Sequence, residues 1–231
     1  MSKIKALILD AGGVLVHPYH GDWYIPVKYR EYLGEYAGVI GSEKWQEACR
    51  AEAHYVHEGK LVADTGEEYI LRMEFLKAVA QRMGWELSDD ALTALNRDFT
   101  YNTDRHAWYD DVEPWLKAWS EKLRLGILSD AMPSFLDVIA AHPARNYIEK
   151  TIVSSALGVT KPDARMYAAI CNALEVDPAD CLFVDDRVCN LEGAMACGMR
   201  AVQMCRDGLI GWDGDKVHDL CELNAYVEGL N

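Results

Sequence analysis

The sequence predicts an α/β fold, in which helices cover both faces of a parallel sheet, together with an inserted all-helical segment. From about Leu123 onward, short apolar runs alternate with helical patterns, as is typical of parallel sheets. Between residues 17 and 104 the pattern is helical only. The chain is therefore expected to divide into an α/β core of residues 1–16 and 105–231 and a helical insert of residues 17–104.

Five apolar runs have the length of buried strands. The first ends directly before Asp10 and lies far from the others in the sequence. Because helical patterns separate the later runs, we expect the strands to be parallel. The five predicted strands are residues 5–9, 124–129, 151–153, 181–185 and 200–203.

Three helices are expected in the insert. Ser42 and Ser88 begin two of them, because a serine side chain can accept a hydrogen bond from a free backbone N–H of the first turn. Thr65 and Glu68 form a capping box that begins the helix between these two, and Gly84 ends it.

The composition limits the classes of partner. Half of the 231 residues are apolar, and the formal net charge is -14. This charge argues against nucleic acid or an anionic membrane surface as a partner. The seven cysteines form no C-x-x-C pair and no zinc spacing, and no apolar run could span a bilayer or form the core of a signal peptide. We therefore expect a reduced, cytoplasmic protein.

Polar side chains recur at the ends of the predicted strands or in the loops that follow them. Because the carboxyl ends of parallel strands meet at one edge of a sheet, and ligands bind there, we expect these side chains to form one site. Most of them are carboxylates, which need a cationic partner when they are buried. The candidate residues are Asp10, Ser129, Asp130, Lys161, Asp185, Asp186 and Asn190.

With these motifs in this order, the chain resembles the haloacid dehalogenase-like hydrolase superfamily. The first motif is the apolar strand that ends in Asp10 and continues with Gly12, Gly13 and Val14, and the last is Phe-Val-Asp-Asp-Arg-x-x-Asn at residues 183–190. The chain is similar to the phosphatase-like branch with a helical cap and a Gly-Gly-Val first motif. The resemblance implies a Rossmann-like core, a cap formed by the insert, and a Mg²⁺-dependent hydrolase.

The resemblance also implies a role for each motif in the hydrolysis of a small phosphorylated metabolite. Asp10 is expected to attack phosphorus and to form an aspartyl-phosphate, which is covalent catalysis by a carboxylate. Ser129, Asp130 and Lys161 are expected to bind the phosphoryl group, Ser129 through its hydroxyl and Lys161 through its charge.

The metal expected from the resemblance is Mg²⁺, which prefers carboxylate and carbonyl oxygens as ligands. Asp10, the carbonyl of Gly12 and Asp186 are the expected protein ligands. Asp185 is expected either as a further ligand or as the residue that orients Lys161. Asn190 is expected behind these ligands, in contact with them rather than with the metal.

Gly12 departs from the usual pattern of the family's phosphatases. In those enzymes the residue two positions after the nucleophile is usually a second aspartate, which protonates the leaving group. A positioned general acid contributes roughly 10²–10⁴-fold to the rate. One interpretation is a phosphatase whose acid comes from elsewhere, for example from His17, from the substrate or from solvent.

Two other interpretations of Gly12 remain open. The chain could cleave carbon–halogen or carbon–phosphorus bonds, because relatives with these activities also lack the second aspartate. The dehalogenases work without a metal, which Asp185 and Asp186 disfavour, and the phosphonate-cleaving relatives use a cap lysine. The chain could also be a binding or regulatory module that keeps the fold. The lysines of the insert are Lys28, Lys44, Lys60 and Lys77.

Overall fold

The computed structural model describes residues 3–54, 61–206, 208 and 211–230. It divides the chain into two compact units. The α/β unit consists of Met1–His17, Trp108–Ala131 and Ile139–Asn231, and the helical unit consists of Pro18–Ala107 and Met132–Val138. The structure thus groups residues 105–107 and 132–138, which the sequence analysis assigned to the core, with the helical unit, and it groups His17, which was assigned to the insert, with the α/β unit. Lys60 lies outside the described residues.

The α/β unit is built on a six-stranded sheet in which every pair of neighbouring strands is parallel. Its strand order is β5-β4-β1-β6-β7-β8, so the strand that leads to Asp10 lies in the interior of the sheet. Strands β2 and β3 form a separate two-stranded sheet. The strands are β1 (Ala6–Leu9), β2 (Val16–Pro18), β3 (His106–Trp108), β4 (Arg124–Ser129), β5 (Lys150–Val153), β6 (Cys181–Asp185), β7 (Arg200–Met204) and β8 (Lys216–Val217).

Helices connect the strands of the sheet and form most of the second unit. The longest of them belongs to the helical unit, and the shortest has a single turn. The α-helices are α1 (Tyr29–Leu33), α2 (Glu43–Glu52), α3 (Thr65–Met83), α4 (Asp89–Tyr101), α5 (Val112–Ser120), α6 (Phe135–Ala141), α7 (Ser154–Leu157), α8 (Ala164–Leu174), α9 (Val188–Ala196) and α10 (Leu220–Leu230).

The α/β class is confirmed, and each of the five predicted strands is present with its ends shifted by no more than one residue. Strand β1 is buried along its whole length, which explains why its sequence is a continuous apolar run. One face of the sheet packs against helices α8 and α9 through side chains such as Ile8, Phe183 and Tyr167.

The helical unit has an apolar core of its own. Trp45 is almost completely buried in it, beside Phe75 and Phe99. The ring of Trp45 stacks on that of Trp85 at 5.9 Å, and Trp85 stacks on Tyr36 at 5.4 Å. These aromatic residues therefore stabilise the unit itself. Among the described residues, no helix is both long and apolar enough to cross a membrane.

The predicted capping box at the start of helix α3 is wrong. The N-cap is Asp64, whose Oδ1 accepts hydrogen bonds from the backbone N–H groups of Gly66 at 2.8 Å and Glu67 at 2.9 Å. Thr65 is already helical, and Glu68 points into the unit, where its carboxylate accepts several hydrogen bonds. Buried partners therefore outweigh the local cap for Glu68. The αL cap at Gly84 is confirmed, with a φ of 74°.

We predict that Gly193→Ala destabilises the α/β unit although alanine favours helix. A Cβ at Gly193, within helix α9, would lie 2.6 Å from Cβ of Pro162 and 2.7 Å from the hydroxyl of Tyr167. Overpacking of this kind costs about 1–3 kcal/mol, which urea unfolding measures. Gly229→Ala in helix α10 is the control, because nothing lies within 4 Å of its added Cβ. Equal unfolding free energies for the two variants would contradict the prediction.

Candidate active site

The register of the sheet brings the ends of three strands together. Leu9 lies opposite Ile127 of β4 and opposite Val184 of β6, so all three strands end at the same edge. The backbone N–H of Asp10 continues this ladder and donates to the carbonyl of Val184 at 2.8 Å. The side chains that follow the three strands are therefore neighbours because of the parallel pairing alone.

Lys161 connects two of these strand ends. Its ammonium donates to Oδ1 of Asp10 at 2.7 Å, to Oδ2 of Asp185 at 2.7 Å and to the carbonyl of Leu128 at 3.1 Å. The Lys161 side chain is 1% exposed and that of Asp185 is 0% exposed. Three acceptors match the three N–H bonds of an ammonium group, so the buried charge is fully hydrogen-bonded.

The carboxylate of Asp185 is held by its own surroundings as well as by Lys161. Nδ2 of Asn190 donates to both of its oxygens at 3.0 Å, and the backbone N–H of Arg187 donates to Oδ1 at 2.8 Å. Asn190 is fixed in turn, because the hydroxyl of Tyr167 donates to its backbone carbonyl at 2.7 Å. Asp185 is therefore well placed to orient Lys161.

Asp130 and Ser129 follow strand β4 at the same edge. Oδ1 of Asp130 accepts a hydrogen bond from the backbone N–H of Lys161 at 2.8 Å, which ties the loop of Lys161 to strand β4. Burial raises the pKa of Asp130 above its usual value, although the nearby charge of Lys161 opposes this shift. Ser129 is buried at the end of the strand.

The loop after Asp10 is compact. The carbonyl of Ala11 accepts hydrogen bonds from the N–H groups of Leu15 at 2.8 Å and Val16 at 2.9 Å. Gly13 has a φ of 73°, and a Cβ there would lie 2.9 Å from Oδ2 of Asp186. A glycine at this position therefore provides both the backbone conformation and the space that the side chain of Asp186 occupies.

Three carboxyl groups lie close to one ammonium group at this edge of the sheet. Ligand oxygens of Asp10, Asp185 and Asp186 lie within 4.8 Å of one another. Burial raises the pKa of Asp10 to about 6, against the opposing effect of Lys161. Burial and the negative charge of Asp10 raise the pKa of Asp186 to about 7. Burial would lower the pKa of Lys161, but the charges of Asp10 and Asp185 outweigh it and raise that pKa.

This excess of negative charge fits a divalent cation. The oxygen donors are those that Mg²⁺ prefers, and a cation would lower the repulsion that the raised pKa values of Asp10 and Asp186 reflect. The space at Gly13 is consistent with this fit, since it allows Asp186 to approach the loop that follows Asp10.

The sequence analysis missed residues that position the loop after Asp10. Nε of Arg206 donates to the carbonyl of Val14 at 2.9 Å, and its Nη2 donates to Asp111 at 2.9 Å. The guanidinium also lies 4.0 Å from the ring centre of Tyr109. Arg206 is 192 residues from Val14, and no local pattern marks it. The ring of His17 packs on the same Tyr109, with centroids 4.8 Å apart.

The chain is similar in sequence and in fold to known proteins of one family. Haloacid dehalogenase-like hydrolases match residues 4–198. The chain is 34% identical over 165 residues to a protein named Phosphatase MT3486 from Mycobacterium tuberculosis (strain CDC 1551 / Oshkosh). That match covers 68% of this chain and 70% of the relative.

Solved structures show the same fold at lower identity. An L-2-haloacid dehalogenase from Xanthobacter autotrophicus is similar with a TM-score of 0.69 and 22% identity, over 99% of this chain and all of that one. A HAD phosphatase from Thermococcus onnurineus is similar with a TM-score of 0.66 and 18% identity, over 98% of this chain and 99% of that one. At these identities the likeness concerns the fold alone.

We predict that Lys161→Met destabilises the protein strongly at pH 8 and less at pH 5. The variant leaves Asp10 and Asp185 buried without their cation, which costs roughly 3–5 kcal/mol. Burial already raises the pKa of Asp10 to about 6 against the charge of Lys161, and the loss of that charge is expected to raise it further, so the penalty shrinks as the pH falls and Asp10 takes up a proton. Urea unfolding at the two pH values measures this difference.

The matched control is Lys150→Met, which removes an exposed lysine of the same unit. We expect it to change stability by no more than about 0.5 kcal/mol at either pH. A penalty for Lys161→Met that does not depend on pH would contradict the charge argument.

Proposed function

Since the chain belongs to the haloacid dehalogenase-like hydrolase family, we propose that it is a Mg²⁺-dependent phosphatase that acts on a small phosphorylated metabolite. The observation that carries this proposal is the position of Asp186, whose carboxylate lies beside that of Asp10 in addition to the Asp185 that Lys161 contacts. A second acid beside the nucleophile supports a cation site, which the metal-free dehalogenases do not need. The relative that is 34% identical is named a phosphatase, which supports the same class.

Asp10 is the proposed nucleophile. One oxygen of its carboxylate attacks phosphorus, and the bond from phosphorus to the leaving oxygen breaks with its electron pair on that oxygen. Water then attacks the phosphorus of the aspartyl-phosphate, which releases inorganic phosphate and restores the carboxylate. Lys161 holds Asp10 in place at 2.7 Å and is close enough to offset the charge of both nucleophile and phosphoryl group.

Ser129 and the residues around it are proposed to receive the phosphoryl group. The hydroxyl of Ser129, at the end of strand β4, would donate to a phosphoryl oxygen. Asp130 fixes the backbone of Lys161 rather than the substrate itself. Asp185, with Asn190 behind it, positions the ammonium of Lys161.

The residues proposed to hold Mg²⁺ are Asp10, the carbonyl of Gly12 and Asp186. When bound, the cation would supply positive charge to the phosphoryl oxygens and so lower the repulsion between two anions. Asp185 already accepts hydrogen bonds from three neighbours, so we propose that its main role is to position the ammonium of Lys161. The helical unit is the proposed cap of the family, and it would read the part of the substrate that is not phosphate.

Gly12 sets a limit on the leaving groups that this site can expel. It has no side chain to protonate a departing oxygen. An aryl phosphate or an acyl phosphate leaves without such help, whereas an alkyl phosphate depends on it. We therefore propose a substrate with a good leaving group, or one that carries its own acid.

The proposed function predicts Mg²⁺-dependent hydrolysis of an aryl phosphate. We expect turnover of phenyl phosphate that disappears with a chelator and returns with Mg²⁺. Asp10→Asn should lower kcat by at least about 10³-fold, because the amide cannot act as the nucleophile. Asp137→Asn, which changes an exposed aspartate, is the control and should keep full activity.

The same assay contains the result that would overturn the proposal. If the wild type and Asp10→Asn are equally inactive on aryl, sugar and nucleotide phosphates, the phosphatase assignment is wrong. Halide release from a panel of haloacids, independent of Mg²⁺ and abolished by Asp10→Asn, would instead identify a dehalogenase.

Gly12→Asp tests the argument about the leaving group. The new carboxyl group should raise kcat/KM for an alkyl phosphate by about tenfold or more relative to phenyl phosphate, since only the alkoxide needs the proton. Gly12→Asn has nearly the same size but no acid, so it should leave this ratio unchanged. The argument fails if both substrates respond equally to Gly12→Asp, or if Gly12→Asn has the same effect.

A further inference from the structure

Two arginines and one fully buried glutamate lie close together in the helical unit. Cζ of Arg72 lies 4.2 Å from the centroid of the Phe99 ring, and Cζ of Arg105 lies 5.8 Å from it. The carboxylate is that of Glu68, which is fully buried, and the Arg72 side chain is 4% exposed. We call Glu68, Arg72, Phe99, Arg105 and Ser134 the arginine cluster; all five belong to the helical unit.

Both carboxylate oxygens of Glu68 accept hydrogen bonds within the cluster. Its Oε1 accepts from Nε of Arg72 at 2.7 Å and from the hydroxyl of Ser134 at 2.7 Å, and its Oε2 accepts from the backbone N–H of Ser134 at 2.8 Å. The carboxylate thus joins helix α3 to the turn before helix α6 and neutralises Arg72. Arg105 lacks a counterion of this kind among the residues that the structure describes.

One edge of the Arg105 guanidinium has weak or missing partners. Nη1 donates to the carbonyl of Phe99 at 3.1 Å, but Nη2 reaches the hydroxyl of Ser134 only at 3.5 Å. Nε is buried and has no hydrogen-bond partner within the described part of the chain. Nε and Nη2 form the edge of a guanidinium that binds a carboxylate or phosphate through two parallel hydrogen bonds.

The surroundings of this edge favour an anion. Burial and the charge of Arg72 both lower the pKa of Arg105 below its usual value, although a guanidinium keeps its proton in proteins. Burial, together with the charges of Arg105 and Arg72, lowers the pKa of His106 to about 2, so this neighbour adds no further cation. The cluster therefore carries a net charge of about +1 in a place where buried charges are normally paired.

We propose that the arginine cluster is a binding site for an oxyanion, a carboxylate or a phosphate group, held by the Nε–Nη2 edge of Arg105. No step of the proposed phosphoryl transfer uses these residues, so the binding itself does not depend on the proposed function. Two sources share this chemistry: a free small oxyanion, and a second anionic group on the substrate. Only the second source depends on the proposed function.

The first experiment measures binding without turnover. Unfolding midpoints of the full chain are recorded with increasing inorganic phosphate, at one pH and at constant ionic strength. We expect phosphate to raise the midpoint of the wild type, and we expect Arg105→Met to retain no more than about half of this rise. Arg97→Gln, which removes an exposed arginine of the same unit, should retain all of it. Phosphate bound at the sheet edge contributes equally to all three proteins.

A second variant keeps the experiment decisive. Arg105→Lys retains the charge but loses the two-pronged edge, so it should also lose most of the rise; it serves as the test if Arg105→Met does not fold. A purely structural role for Arg105 predicts the opposite pattern, a lower midpoint without phosphate and an unchanged rise with it. Rises in both Arg105 variants equal to that of Arg97→Gln would overturn the proposal.

The second experiment identifies the source of the anion. Phenyl phosphate and 4-carboxyphenyl phosphate differ only in a carboxylate, and the ratio of their kcat/KM values reports its recognition. If the anion belongs to the substrate, Arg105→Met should lower this ratio about tenfold, as the loss of a charged hydrogen-bonded pair predicts, and Arg97→Gln should leave it unchanged. An unchanged ratio with an altered phosphate titration excludes this carboxylate as the ligand of Arg105 and supports a free oxyanion. If neither ester is hydrolysed, the proposed function fails and the phosphate titration still decides the site.

Discussion

The candidate site depends on a single buried ammonium. Lys161 comes from a loop, yet its Nζ joins the acid that follows strand β1 to the acid that ends strand β6, and it also contacts the carbonyl of Leu128 on β4. A buried lysine is tolerated because each of its N–H groups has an acceptor. Behind it, the side-chain amide of Asn190 donates to Asp185, and the hydroxyl of Tyr167 donates to the backbone carbonyl of Asn190. Most of the site is therefore devoted to holding one charge in one place.

The site also carries more negative charge than Lys161 can balance. Asp10 and Asp186 are both held above their usual pKa by burial and by other carboxylates, with Lys161 acting against the shift. Such an arrangement costs stability as the pH rises through about 4 to 7, since the folded state then loses protons that it binds more tightly than the unfolded chain does. The divalent cation that we propose at this site would reduce the repulsion that causes this cost.

The buried charges of the two units have opposite signs in excess. The α/β unit collects acids around one lysine, whereas the helical unit collects two arginines around one glutamate. The three acids outnumber their lysine by two, and the two arginines outnumber their glutamate by one, although the whole chain has a formal charge of -14. In the helical unit Glu68 neutralises Arg72, while the ring of Phe99 and the hydroxyl of Ser134 are the contacts of the second guanidinium, that of Arg105.

The sequence by itself determined five strands of the six-stranded sheet, their parallel direction and the set of acids at their ends. These features follow from local patterns, because an apolar run that ends in Asp10 has few other structures in which it can be buried. Only the tertiary structure decided the partners: Asp130 binds the backbone of Lys161, Arg206 reaches Val14 from 192 residues away, and Asp64 replaces the predicted capping box. Glu68 shows the reason most clearly. Its local pattern favours a cap, but the hydrogen bonds available to a buried carboxylate come from residues that are distant in the sequence, and no local pattern contains them.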